Sequence, residues 1–150
     1  MTAQSFQRFF DRSVPNYAAE KVRSGEWSAH EAQARSEGEL RTLMPQGQDT
    51  PDHFLLDLHD SQADVDVGVL WYVLRNRPQG VSAFVYDFEI FEDHRRRGHA
   101  TRAFALLERD ASARGAASIQ LHVFGHNHAA RALYQELGFH PTNLNLRKDI

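Results

Sequence analysis

The chain has 150 residues, 17 Lys and Arg against 20 Asp and Glu, and a net charge of −3 with histidine neutral. That is a usual one-domain length, the missing basic excess argues against a general nucleic-acid binder, and 41% apolar and 11% aromatic residues argue against disorder. There is no cysteine, so disulfides, thiolate catalysis and cysteine-based zinc sites are excluded, and the lack of a long apolar run or a signal-like start points to a cytoplasmic protein with no membrane partner.

The first third reads as helical. Thr2 is a candidate N-cap, and Phe6, Phe9 and Phe10 recur at helical spacing until Pro15 breaks or restarts the pattern. Tyr17, Ala18, Lys21 and Val22 suggest a second short helix with Gly25 as its stop. Ser28 to Glu31 forms a capping box with Trp27 in the staple position, opening a helix that runs to about Leu43 before Pro45 and Gly47.

The middle third changes to period two. Phe54 to Leu58 is a short strand and Asp60 to Asp64 a polar turn. Val65, Val67, Val69, Trp71 and Val73 alternate along a second strand, and Arg75 to Gly80 is a hairpin loop. Ala83 to Phe91 is a third strand on which Asp87 and Glu89, two apart, share a face.

The last third alternates strand and helix. Ala100 to Arg114 is a helix with Ala103, Leu106, Leu107 and Ala111 on its apolar stripe, and Gly115 stops it. Ile119 to Phe124 is a strand, Asn127 to Leu137 a helix with Gly138 after it, and the tail through Leu144 and Leu146 suits a last strand. A hairpin followed by a right-handed strand–helix–strand crossover gives a mixed α/β sheet flanked by helices.

Two segments carry the chemistry. Arg95-Arg96-Arg97-Gly98-His99-Ala100 lies between a strand and a helix. Its small residues let a backbone approach a ligand, and the N–H groups from about Arg97 to Thr101 face an anion at the helix's positive end. The plain alternative is a solvated basic turn. Asn127, Ala130 and Tyr134 stand at i, i+3 and i+7, on one helix face, before Gly138-Phe139. The alternative there is a core-facing tyrosine.

Together these segments resemble the Gcn5-related N-acetyltransferase (GNAT) family. Its pattern Arg/Gln-x-x-Gly-x-Gly/Ala is met by Arg95, Gly98 and Ala100, and Asn-x-x-Ala-x-x-x-Tyr followed by Gly-Phe is met by Asn127, Ala130, Tyr134, Gly138 and Phe139. The stretches Tyr86 to Ile90, Leu121 to Asn127, Ser24 to Ser28 and Leu43 to Gly47 look like those of a bacterial subgroup whose members mostly have no settled substrate.

The resemblance covers almost the whole chain. It implies one N-acetyltransferase domain over residues 1–150, with 1–50 on the acceptor side and 54–150 forming the sheet and cofactor core. It implies a splayed sheet, with the pantetheine arm of acetyl-CoA against Ile90 and Phe91, a backbone N–H there on the acyl carbonyl, and the pyrophosphate on Arg95, Arg96, Arg97, Gly98, His99, Ala100 and Thr101. Asn127 would bond the arm, and Tyr134 would face the thioester sulfur and protonate the leaving thiolate after direct attack by a primary amine. A non-catalytic acyl-CoA-binding sensor is the alternative.

Glu89 is the first candidate for the general base, with Asp87, His122 or water as alternatives. His122, His126 and His128 give no convergent ligand set, and no metal is expected. The family's opening strand is missing, since Met1 to Phe6 already reads as a helix start. The edge left uncovered would favour pairing with another chain, a homodimer included, or with further N-terminal residues. The acceptor, a small molecule or a peptide, carries no readable motif.

Overall fold

The computed structural model describes residues 1–150. Thr2 caps the first helix, α1 (Ala3–Arg23), its hydroxyl accepting from the Ser5 N–H at 3.1 Å. Pro15 lies inside α1, so one helix stands where two were expected. Proline gives up one backbone bond. Phe9, Phe10, Val14 and Ala18 bury on both sides of it and hold the helix together.

The next helix, α2 (Ala32–Leu43), starts after the capping box, of which only the Glu31 half forms: its carboxylate accepts from the Ser28 N–H at 3.4 Å. Trp27 is buried against Ala18 and Ala32, as a staple requires.

Strands β1 (His53–Asp60), β2 (Val65–Arg77) and β3 (Gly80–Ile90) form an antiparallel meander. The crossover helix α3 (His99–Ala113) returns the chain to β4 (Ala116–Leu121), parallel to β3, in the order β1-β2-β3-β4. The mixed α/β sheet flanked by helices is therefore as the sequence predicts. Alternation in β2 understates its burial: every residue from Val67 to Val73 is buried. Val69 and Trp71 meet Phe9 and Phe10 of α1, while Leu70 and Tyr72 meet Phe104 and Leu107 of α3. A strand covered on both faces needs apolar residues at both parities.

Three expectations are corrected. On α3 the core stripe is Ala103, Phe104, Leu107 and Ala111, and Leu106 is 57% exposed. β4 ends at Leu121, short of Phe124, because its pairing with β3 stops at Val85 opposite Leu121. No strand forms in the tail, where Leu144 and Leu146 are exposed. Two leucines separated by Asn145 offer too little apolar surface to dock there. The last helix, α4 (His128–Glu136), is capped by Asn127.

Past Val85, β3 runs on to Ile90 with no partner on its β4 side. The β2–β3 register shifts between Trp71 and Tyr72, so Tyr86 is an extra residue in β3. This bulge puts neighbours on one face: Tyr86 stacks on Trp71 at 4.5 Å, and Asp87 reaches Ser13 of α1. Beyond the bulge β2 and β3 come very close, and a Cβ on Gly68 would meet the Glu89 carbonyl oxygen at 2.2 Å.

Candidate active site

The gap between the free end of β3 and the chain leaving β4 gathers most of the predicted residues. Hydrogen bonding alternates along an antiparallel strand. Phe91 donates its N–H to the Val67 carbonyl at 2.9 Å, so Asp87, Glu89 and Phe91 bond β2 while Phe88 and Ile90 face the gap. The Phe91 N–H is therefore taken by β2, and of the two residues expected to meet the acyl group only Ile90 turns its N–H to the gap. The Ile90 carbonyl accepts from Arg95 Nε at 2.9 Å, and the Phe88 N–H leans on the Asp87 carboxylate.

At the mouth of the gap the chain turns into α3. Arg96 (φ 62°) and Gly98 (φ 76°) both take the left-handed conformation, which suits glycine and strains arginine. Gly98 is the N-cap and no side chain caps the helix. The first ring closes from the Arg102 N–H to the Gly98 carbonyl, which leaves the His99, Ala100 and Thr101 N–H groups without helical partners. A Cβ at Gly98 would sit 3.2 Å from Arg102 Nη1 and fill this cradle. Open N–H groups at a helix start suit a pyrophosphate.

The arginines divide. All three are exposed, but Arg95 bonds the Ile90 carbonyl and lies 3.9 Å from Glu89, while Arg96 and Arg97 make no such contact with β3. His99 points away from the gap, 3.8 Å from Asp60.

Asp87 and Glu89 do share a face, the one covered by α1. Glu89 Oε2 pairs with Arg12 Nε at 3.0 Å. Asp87 accepts from the Ser13 hydroxyl at 3.5 Å. Burial, and then the charge of Glu89, push the Asp87 carboxyl up to about 6, against the opposing pull of Arg12, the Phe88 N–H and Ser13. The arginine-paired carboxylate is thus Glu89, and the raised one is Asp87.

Tyr134 packs edge-on against Phe104 and Phe139 and is half-buried. Burial, and then the Asp87 charge, raise it to about 12. The Asp87 charge is thus felt at the Tyr134 phenol, a link between strand and helix that sequence reading did not make.

Asn127 is the cap and not a member of the helical face. Its carboxamide oxygen accepts from the Ala130 N–H at 3.2 Å, which leaves its NH₂ to donate. His122 lies edge-on to Phe124 at 4.9 Å. His126 pairs with Glu20. A cavity of about 530 Å³ lies elsewhere, between β1 and α3, bordered by Leu56, Tyr72 and Leu106. The gap, by contrast, gathers the raised Asp87 carboxyl, the raised Tyr134 phenol and the Glu89 carboxylate paired with arginine. Sequence reading missed Arg12, Ser13 and Gly68. Only the helical register of Arg12 and Ser13 with Phe9 hinted that they face the sheet.

Residues 17–139 match the Acetyltransferase (GNAT) family. The chain belongs to this family. It is 35% identical over 150 residues to the uncharacterized N-acetyltransferase YycN of Bacillus subtilis (strain 168), covering all of this chain and 96% of the relative. It is 36% identical over 151 residues to the uncharacterized N-acetyltransferase YdgE of the same strain, covering 100% and 95%. The crystal structure of YycN superposes with a TM-score of 0.92 at 36% identity, over 100% of this chain and 95% of that one. The chain is accordingly an acetyltransferase with the GNAT fold, and acetyl-CoA is the co-substrate of its family. No helix is long and apolar enough to cross a membrane.

Proposed function

We propose that residues 1–150 act as one catalytic unit that moves an acetyl group from acetyl-CoA to a primary amine by direct attack in a ternary complex. Residues 1–50 border the acceptor and 54–150 hold the cofactor. One observation carries this reading: the unpaired end of β3 opens onto a gap that has a raised carboxylate on one side and a tyrosine on the other. The pantetheine arm follows the outward groups of Phe88 and Ile90, with the Asn127 NH₂ as a further donor. The pyrophosphate meets the loop from Arg95 to Thr101, where Arg96, Arg97, His99 and Ala100 flank Gly98. The thioester supplies the activated acyl group.

Asp87 is the base in this reading and Glu89 supports it. The Glu89 carboxylate is engaged by Arg12 Nε at 3.0 Å, which ties it to α1. Burial raises Asp87 to about 6, toward the neutral range that suits a general base. It takes a proton from the amine as the carbon–nitrogen bond forms. Its negative charge is then lost, so one of the two causes that raise Tyr134 is removed while charge grows on the leaving sulfur. Tyr134 becomes a better acid at the step that needs one, and the thiolate leaves as the thiol.

The test is thiol release from acetyl-CoA over a broad amine panel, beside a binding isotherm. Amine-dependent release supports transfer. Tight acetyl-CoA binding with no release across the panel contradicts it and leaves a sensor of acyl-CoA.

A further inference from the structure

Arg12 is half satisfied. A guanidinium carries five N–H donors. Here Nε meets Glu89 at 3.0 Å, and Nη2 is buried with no hydrogen-bond partner. The side chain as a whole keeps 31% of its exposure, so Nη2 is enclosed while other parts of the side chain meet solvent. A buried charged donor without an acceptor is costly, and native sites that contain one are commonly completed by something else.

The place is informative. The guanidinium lies over the Phe91 ring at 5.0 Å, at the end of β3, and close enough to Asp87 to pull its carboxyl down. An amine that gives its proton to Asp87 brings the substituents of its own carbon next to Arg12. We propose that Arg12 reads the acceptor: the amine carries a carbonyl or carboxylate oxygen next to its nitrogen-bearing carbon, as in an α-amino acid or the amino-terminal residue of a peptide. That oxygen accepts from the open side of the guanidinium. The inference rests on the acetyl-transfer reading above.

Charge agrees. Arg12 and Arg95 face Glu89 and Asp87. Once Asp87 holds the amine's proton, two cations face one carboxylate, and an acceptor oxygen restores the balance. A plain alkylamine leaves the donor orphaned, and sites that hold buried polar groups reject analogues that leave them unpaired.

The experiment compares phenylalanine, phenylalaninamide and a phenylalanyl dipeptide with phenethylamine, which has the same amine and ring but no carbonyl. Wild-type kcat/KM should favour the best carbonyl-bearing acceptor by about a hundredfold or more. Arg12→Lys should cut that ratio at least about tenfold, since a point charge lacks the planar fork.

Glu89→Gln separates recognition from simple support of α1. It breaks the ion pair and keeps the guanidinium. A ratio preserved in Glu89→Gln and lost in Arg12→Lys supports recognition. A ratio lost equally in both overturns it.

Equal turnover of phenylalaninamide and phenethylamine by the wild type also overturns it, with acetyl transfer intact. If acetyl-CoA binds and nothing turns over, the transfer reading fails. Calorimetry then decides the recognition alone: phenylalaninamide binding more tightly than phenethylamine, with Arg12→Lys erasing the difference, supports it, and equal binding overturns it. Free phenylalanine outperforming the dipeptide identifies a small-molecule acceptor, and the reverse identifies a peptide amino terminus.

Discussion

Replacing Asp87 by asparagine separates the two candidate bases and has a magnitude that follows from the structure. The carboxyl is raised from an ordinary value of 3.8 to about 6, chiefly by burial. Each pKa unit corresponds to about 1.36 kcal/mol, so the charged form costs the folded protein at most about 3 kcal/mol at pH 8.

The sign follows from proton binding. The folded state holds this proton more tightly than the unfolded state does. Its contribution to stability is therefore fully present below about pH 3.8 and is lost as the pH rises to about 6. Asp87→Asn keeps the shape and removes the charge. The variant should be more stable than wild type at pH 8, by up to about 3 kcal/mol less the weakened Ser13 and Phe88 contacts, and the difference should vanish near pH 4.

Its activity should fall about 10²–10⁴-fold, and the acidic limb of kcat/KM near pH 6 should disappear. Urea unfolding at the two pH values and a pH–rate profile provide the assay. A variant with the wild-type limb and the same stability difference at pH 4 and pH 8 would refute the reasoning.

Glu89→Gln makes the contrasting case. Removing its charge and freeing Arg12 both lower Asp87, so a pH–rate profile should show the acidic limb moved to lower pH and not removed. Gly98→Val forces a branched residue to φ 76° with its Cβ against Arg102, and calorimetry should show acetyl-CoA affinity reduced at least about tenfold. Tyr134→Phe should lower kcat by about 10²–10⁴-fold in a thiol-release assay while acetyl-CoA binding stays within a few-fold. Loss of binding instead would make Tyr134 a packing partner of Phe104 and Phe139.

The local signals in the sequence were good guides where one element decides the outcome. Thr2 caps α1, Gly98 opens α3, and Asp87 and Glu89 share a face because strand periodicity requires it. Features that need a second element were not legible. That Glu89 is the paired carboxylate depends on Arg12, which a helix from the other end of the chain brings over β3. That Phe91 bonds Val67 depends on the register between β2 and β3, including the bulge at Tyr86. Pro15 reads as a break, but burial of Phe9, Phe10, Val14 and Ala18 outweighs one missing bond. Gly68 looks unremarkable in an apolar strand until the Glu89 carbonyl arrives next to it.

The central claim is that the unpaired end of β3 receives the cofactor's arm, and amide hydrogen exchange resolved by residue reads it directly. With saturating coenzyme A, the Ile90 amide, which faces the gap, should become markedly protected, together with His99, Ala100 and Thr101 at the start of α3. Phe91, already bonded to Val67, should change far less. Protection confined to the cavity between β1 and α3, with Ile90 exchanging as fast as in the free protein, would contradict the account.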